Sequence, residues 1–253
     1  MINSPAYCGQ PLIRLPLKSY HNVRDIGGYA GHGGKAVRFG RFYRASEPCG
    51  IDPADIQTLL DLPICTFIDL RSELEATRRP SAFSGLPGIC TCNFSLLKPK
   101  PGSKKGVEDF IRDLSAFSLG EVYIHMLETS GMEIAGVLGA MAEETRGACL
   151  YHCTHGKDRT GLITMLLYKL AGVADEDIIA SYQVSFSYLR PLVDPLMLNA
   201  GEGSRHLLLS DAANMEVLLG HFDRTQPGIV PYLHKIGVTD QQIRILRDRL
   251  IGD

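Results

Sequence analysis

One segment in the second half of the chain constrains the fold more than any other. Ala148 to Tyr151 forms a short apolar run typical of a buried strand, and Leu162 to Leu170 has the Leu, Ile and Met content of a buried helix. The stretch that joins them, residues 152–161, is polar and contains Gly156. A strand that turns this tightly into a helix directs successive backbone N–H groups and the helix N-terminus toward one point. The segment therefore predicts an anion cradle in a fold of the α/β class.

The side chains of this stretch suit chemistry at a bound anion. It reads His-Cys-Thr-His-Gly-Lys-Asp-Arg-Thr-Gly, with Cys153 at its head and Arg159 six positions later. Helix N-termini and nearby cations lower the pKa of a cysteine from ~8.5 to roughly 3.5–7.5, which favours the nucleophilic thiolate. A guanidinium presents a planar fork that binds two phosphate oxygens at once. The pair indicates nucleophilic displacement at phosphorus.

Each residue of the stretch can be given a role in that displacement. Cys153 would attack the phosphoester in line and form a cysteinyl-phosphate intermediate. Arg159 would stabilise the charge of the transition state, Gly156 would permit positive φ, and Thr160 would hydrogen-bond the departing sulfur. The candidate phosphate-binding residues are Thr154, His155, Gly156, Lys157, Asp158, Arg159 and Thr160.

The stretch resembles the phosphate-binding loop of the cysteine-dependent protein tyrosine phosphatases, in which His-Cys, five residues and Arg-Thr-Gly follow one another. With Lys-Asp before the arginine, it is similar to an atypical branch that contains bacterial and lower-eukaryotic tyrosine, dual- and triple-specificity enzymes. Further segments resemble that branch in the same order: Asn22–Tyr29, Phe42–Ser46, Ile68–Glu75, Gly172–Ser185 and Gly237–Leu250. The resemblance implies a phosphomonoester hydrolase of the protein-tyrosine-phosphatase type and a contribution from Asp158.

Cleavage of a phosphoester also needs a proton for the leaving oxygen, usually from a carboxylic acid. The chain has no tryptophan, so the Trp-Pro-Asp motif of familiar tyrosine phosphatases is absent. Asp158, Asp69 and Asp25 are the candidates. Asp69 ends a predicted strand, where it would either approach Cys153 or form an ion pair with Arg71, and both alternatives stay open. An ion pair with an acidic partner is also expected for Arg44.

Phosphotyrosine in a protein or peptide is the expected substrate. Lys157 would add positive charge to the cradle, and lipid phosphatases of the superfamily use basic loop residues, so a phosphoinositide or dual- or triple-specificity phosphatase is the alternative. The basic segment Lys98–Lys105 would extend that charged surface, form a lid or be a solvated loop. Leu189–Arg205 is a second candidate lid.

Other classes of function fit the residues less well. A non-catalytic phosphate-binding module of the same fold commonly lacks the cysteine or the arginine, and both are present. A rhodanese or an arsenate reductase shares the cysteine and the anion loop, but the Arg-Thr-Gly ending favours a phosphatase. The pair Cys90 and Cys92 lacks the usual spacing of a zinc site. We therefore expect neither a metal nor another cofactor.

Composition defines the kind of molecule. The chain has 253 residues, of which 45% are hydrophobic and 21% charged, and no evident linker, so we expect a single phosphatase domain over residues 1–253. A net charge of −2 indicates no nucleic-acid partner. There is no apolar run of ~18 residues for stable membrane insertion. The seven cysteines form no spaced framework and no secretory signal is evident, which favours a cytoplasmic location. Export without a cleavable signal is left open.

Strand and helix patterns alternate along the chain. This predicts an α/β architecture with a short, largely parallel central sheet flanked by helices, and the loop at Cys153 at the carboxyl end of a central strand. The predicted strands are Val37–Ala45, Ile64–Leu70, Ile89–Leu97 and Ala148–Tyr151. The predicted helices span 52–62, Val107–Thr129, Met132–Glu144, 159–171, 175–189, 211–222, 226–236 and 240–250.

Overall fold

The computed structural model describes residues 13–97 and 117–252, and its centre is a five-stranded sheet. The strands are β1 (Arg24–Asp25), β2 (Phe42–Ala45), β3 (Ile64–Asp69), β4 (Cys90–Asn93) and β5 (Ala148–His152). They lie in the order β1-β2-β5-β3-β4, with β1 antiparallel to β2 and all other neighbours parallel. The predicted α/β class and largely parallel sheet are confirmed.

Helices account for most of the remaining described chain. They are α1 (Pro53–Leu60), α2 (Glu73–Arg78), α3 (Leu119–Thr129), α4 (Gly131–Glu143), α5 (Asp158–Ala171), α6 (Asp175–Asn199), α7 (Glu202–Arg205), α8 (Ala212–Thr225), α9 (Ile229–Lys235) and α10 (Asp240–Ile251). The part of the predicted helix Val107–Thr129 that precedes residue 117 lies outside the described residues, as does the basic segment Lys98–Lys105. None of the helices in the described ranges is long and apolar enough to cross a bilayer.

The sheet separates two hydrophobic cores because side chains of a strand alternate between its faces. In β5, Cys149 and Tyr151 belong to the larger core with α3 to α6 and α8 to α10. Ala148 and Leu150 face a smaller core that includes Leu59 of α1. All of β5 is therefore buried, which explains its continuous apolar sequence.

The helix α2 is absent from the sequence prediction. It has only six residues and none of them is buried, so it shows no apolar period. Its start is nevertheless marked, because Ser72 and Glu75 form a reciprocal capping box. This short helix brings Glu75 to the edge of the sheet where the loop after β5 lies.

The helix α6 is longer than predicted. The sequence prediction ended at Leu189, yet the helix continues through Pro191 and Pro195 to Asn199. Both prolines are exposed, so their rings lie on the solvent side of the helix and not in its packed face. Val193 is buried between them and keeps the helix packed.

Arg249 of α10 fastens the end of α4 to the start of β5. Its Nη1 donates to the carbonyls of Met141, at 2.9 Å, and Glu144, and its Nη2 donates to the carbonyl of Gly147 at 2.7 Å. The guanidinium also lies 4.9 Å from the centroid of the Phe42 ring.

Replacing Arg249 with Met should lower the free energy of unfolding by about 2–3 kcal/mol, because several buried carbonyls lose a charged donor. Urea unfolding of the two proteins measures the difference. Arg244→Met on the exposed face of α10 is the control, with an expected change within about 0.5 kcal/mol. Equal changes for the two variants would contradict this account of Arg249.

Candidate active site

The loop at residues 153–157 leaves the carboxyl end of β5 and leads directly into α5. Two other parts of the sheet flank it, because Ala45 of β2 and Asp69 of β3 are both register partners of His152. Gly156 has a φ of +66°, and an added Cβ would lie 2.1 Å from the carbonyl oxygen of Ala45. Only glycine therefore fits at this turn, as the sequence predicted.

Two buried side chains hold the loop from its outer side. The Nδ2 of Asn22 donates to the carbonyls of His155 and Gly156, both at 3.0 Å. The Nη2 of Arg44 donates to the carbonyls of Gly156 at 2.8 Å and Lys157 at 3.3 Å. Arg44 thus contacts backbone carbonyls, and it forms no ion pair with an acidic side chain among the described residues, contrary to the expectation. These bonds direct the carbonyls of the loop outward.

The N–H groups of the loop are consequently available on its inner side. Within the described ranges, no protein group accepts a hydrogen bond from the backbone N–H of Thr154, His155, Gly156 or Lys157. They lie immediately before the N-terminus of α5, whose partial positive charge adds to theirs. This arrangement is suited to binding an oxyanion.

Arg24 supports the loop indirectly, because it holds Asn22 in place. It is 2% exposed, and its Nη1 bonds to the carbonyl and the side-chain oxygen of Asn22. Its Nη2 donates to the Ser181 carbonyl at 3.0 Å and to Ser185 Oγ at 2.8 Å, both in α6. Asn22 is therefore fixed between the loop and α6, although its own φ is +57°.

Cys153 and Arg159 lie at the two ends of the loop. Cys153 is 1% exposed, and Arg159, in the first turn of α5, is 7% exposed. Burial lowers the pKa of Arg159, but the charges of Cys153 and Glu75 outweigh it and raise that pKa above its usual value. The guanidinium is therefore a permanent cation beside the sulfur.

Glu75 holds this cation and is the main residue that the sequence prediction missed. Its two carboxylate oxygens accept from Nη1 and Nη2 of Arg159 at 2.8 and 2.9 Å. Thr154 Oγ1 donates to the same carboxylate at 2.8 Å. Burial raises the pKa of Glu75, but Arg159, Ser72 and Thr154 together lower it to about 2. The Ser-x-x-Glu pattern at 72–75 is typical of a helix start, but no sequence signal indicated the ion pair.

A pocket of about 250 Å³ opens over the loop. Its polar wall is formed by Glu75, Thr154, His155, Asp158 and Arg159, and Tyr123 and the apolar side chains complete it: Leu97, Leu119, Val122, Met126 and Leu207. Burial lowers the pKa of His155, so its imidazole is neutral in this wall at pH 7. The pocket thus joins a floor of polar groups, suited to an anion, to largely apolar sides.

Of the three candidate proton donors, Asp158 alone lies in this pocket. Asp69 is bound by Arg71, with Nε–Oδ1 at 2.9 Å and Nη2–Oδ2 at 2.7 Å, and it lines a separate pocket of about 200 Å³. Burial raises the pKa of Asp69, but the hydrogen bonds from Arg71 outweigh it and lower the pKa below its ordinary value. Asp69 therefore forms the ion-paired corner, and this geometry argues against it as the donor. Asp25 is also away from the pocket, since it accepts from the N–H groups of Gly27 and Gly40.

The side chain of Lys157 is turned away from the cradle, contrary to the expectation that it adds charge there. Its Nζ donates to the carbonyls of Leu207 at 2.8 Å and Leu209 at 2.6 Å, and the residue is 1% exposed. It therefore ties the loop to the segment that supplies one wall of the pocket. That segment follows Leu189–Arg205, whose function as a lid stays a prediction.

His152, which precedes Cys153, and Thr160, which follows Arg159, are both buried and uncharged. Burial lowers the pKa of His152 to about 4, so the ring is neutral at pH 7, and its buried Nδ1 has no hydrogen-bond partner among the described residues. The hydroxyl of Thr160 is buried and has no partner within the described part of the chain. That part also contains no group of three or more His, Cys, Asp or Glu side chains arranged to hold a metal ion.

Comparison with known proteins gives a consistent result. The model of the tyrosine phosphatase family matches residues 15–252. A putative tyrosine-protein phosphatase of Cupriavidus necator is 33% identical over 174 residues, which are 66% of this chain and 61% of that protein. A tyrosine-protein phosphatase of Nostoc commune is 30% identical over 228 residues, which are 85% of this chain and 76% of that one. The chain thus spans about three fifths of the C. necator relative and three quarters of the N. commune relative.

A solved structure, that of P. aeruginosa TpbA in complex with pTyr, is 17% identical. The match covers 63% of this chain and 85% of that one, with a TM-score of 0.35.

Replacing Glu75 with Gln should lower the free energy of unfolding at pH 7 by about 1–2 kcal/mol, after allowance for the partial exposure of the carboxylate. The pKa of Glu75 is lower in the folded protein than in the unfolded chain. The carboxylate therefore stabilises the fold at a pH above its unfolded pKa, and this stabilisation is lost as the pH falls toward about 2. The difference in the free energy of unfolding between the wild type and Glu75→Gln should therefore become smaller below about pH 4.5. Urea unfolding from pH 7 to pH 3 measures it, and a constant difference would contradict the ion pair.

Proposed function

The chain belongs to the tyrosine phosphatase family, and from this premise we propose that it hydrolyses phosphotyrosine in proteins or peptides through a cysteinyl-phosphate intermediate. The observation that carries the proposal is the combination of the loop and the pocket. The loop offers free N–H donors, a helix N-terminus and a fixed guanidinium to a phosphate dianion. The apolar sides of the pocket suit an aromatic ring attached to that phosphate.

The proposed reaction uses Cys153 at the head of the loop, together with residues of the loop and of the pocket above it, in two steps. In the first, Cys153 forms a bond to phosphorus while the bond to the leaving oxygen breaks and Asp158 protonates that oxygen. In the second, water attacks phosphorus, Asp158 accepts a proton from the water, and the sulfur departs. Arg159 and the loop N–H groups stabilise the equatorial oxygens in both steps. The hydroxyl of Thr160 would donate to the departing sulfur.

The apolar pocket also supports selectivity between phosphoamino acids. Five apolar side chains surround the space above the loop: Leu97, Leu119, Val122, Met126 and Leu207. A phosphotyrosine ring would bury them, whereas the short side chain of phosphoserine would leave them in contact with water. The buried position of Lys157 gives no support to the phosphoinositide alternative, because its ammonium is already bound to two carbonyls.

The proposal extends to the organisation and location of the protein. We propose one catalytic domain over residues 1–253, which the family match over residues 15–252 supports. A cytoplasmic location is supported by the six described cysteines, all of which are free.

Turnover of p-nitrophenyl phosphate tests the reaction. Cys153→Ser should lower kcat on the order of 10⁴-fold or more, because the alkoxide it would need is far less available than a thiolate. Cys90→Ser, at an exposed strand position, is the control and should retain activity. EDTA should leave the wild-type rate unchanged. Substantial activity in Cys153→Ser would refute a cysteine nucleophile.

A substrate panel with Lys157→Met tests the assignment of phosphotyrosine. For the wild type, we expect kcat/KM for a phosphotyrosine peptide to exceed that for the matching phosphoserine peptide by about 10²-fold, through burial of the ring. Lys157→Met should lower activity on the phosphotyrosine peptide and a phosphoinositide by the same factor, since the lysine holds the loop and not the substrate. Selective loss of phosphoinositide hydrolysis would favour the lipid alternative.

A further inference from the structure

We propose that Tyr123 is a positioning residue, whose hydroxyl, backed by that of Tyr182, holds Asp158 in the orientation for proton transfer. The proposal deepens the proposed function and rests on it. Tyr123 lies on α3 and Tyr182 on α6, so two helices from different parts of the chain converge on the first residue of α5.

The two carboxylate oxygens of Asp158 are in different situations. The hydroxyl of Tyr123 donates a hydrogen bond to Oδ1. The Nζ of Lys157 lies 3.4 Å from the same oxygen. No residue in the described ranges donates to Oδ2, although the side chain is 25% exposed and lines the pocket. One oxygen is therefore fixed, and the other is free to carry a proton to or from a substrate.

The hydroxyl of Tyr182 completes a directed chain. It lies 2.7 Å from the hydroxyl of Tyr123. Tyr123 has one hydroxyl proton and uses it on Asp158, so Tyr182 must donate to Tyr123. Donors that follow one another in this way polarise each other, which strengthens the last bond of the chain.

Tyr123 remains a donor at any working pH. The residue is fully buried, and burial, together with the charge of Asp158, raises its pKa well above the ordinary value. Its ring packs edge-on against Tyr182, with centroids 6.0 Å apart, and a phenylalanine would keep that contact. The hydroxyl thus contributes something separate from packing: it fixes Oδ1 before and after Oδ2 releases its proton.

The variant Tyr123→Phe tests the proposal, and the chain offers a closely matched control. Tyr232 is also buried, packs edge-on against Phe222, and donates to the carbonyl of Leu127 on the same helix α3 at 3.0 Å. Tyr232→Phe therefore removes a comparable buried hydroxyl bond that does not involve Asp158. Thermal unfolding of both variants establishes whether they lose similar stability.

Kinetics on two aryl phosphates distinguish a loss of Asp158 positioning from a general loss of protein stability. With phenyl phosphate, whose leaving group needs a proton, Tyr123→Phe should lower kcat about 10-fold with KM unchanged. With 2,4-dinitrophenyl phosphate, whose leaving group departs as an anion, the same variant should lose less than about 2-fold. Tyr232→Phe should resemble the wild type on both substrates. Tyr182→Phe should show a smaller loss with the same leaving-group dependence.

The double variant shows whether Tyr123 acts through Asp158. Asp158→Asn should lower kcat on phenyl phosphate on the order of 10²-fold, and adding Tyr123→Phe should lower it no further. Additive losses would overturn the proposal, as would a loss in Tyr123→Phe that is equal on both substrates or is shared by Tyr232→Phe. Suppose that Asp158→Asn lowers kcat equally on both aryl phosphates while Cys153→Ser is inactive. The proposed role of Tyr123 would then be wrong, whereas the proposed phosphatase function would stand.

Discussion

The direction of a few backbone carbonyls determines what this molecule can bind. Asn22 and Arg44 bond to the outer side of the loop at residues 153–157, and this leaves its N–H groups facing inward. Without these bonds, the carbonyls could turn toward the pocket and repel an anion. The central position of β5 sets the frame, because the ends of both neighbouring strands lie beside the loop. The proposed anion site thus depends on polar side chains that the anion itself would not contact.

The sequence predicted the features that are local in the chain. The apolar run of β5, the glycine at 156 and the start of α5 lie within a dozen residues of one another, and their patterns indicated strand, turn and helix correctly. Features that join distant segments were not predictable in this way. Glu75 contacts Arg159 across 84 positions, and Asn22 contacts Gly156 across 134. No periodicity or spacing in one sequence encodes such a pair.

The charged candidate residues show the same difference between features that are local in the chain and contacts between distant segments. The sequence identified Asp158 and Lys157 by their place in the loop and Asp69 by its place at the end of a predicted strand, but not the direction of their side chains. Arg71 neutralises Asp69 in a separate pocket, and the carbonyls of residues 207 and 209 bind Lys157. Position in the loop or at a strand end therefore suggested the candidates, whereas the hydrogen-bond partners of each group determine which of them can serve the proposed reaction.

The capping box at the start of α2 has a consequence beyond the helix itself. The same oxygen of Glu75 that accepts from Ser72 Oγ, at 2.8 Å, also accepts from Arg159. A substitution at Ser72 would thus disturb the guanidinium of Arg159 through Glu75, without a direct contact between the two residues. In comparisons among relatives, change at this serine should accompany change in phosphate affinity, even though its local role is only to begin a short helix.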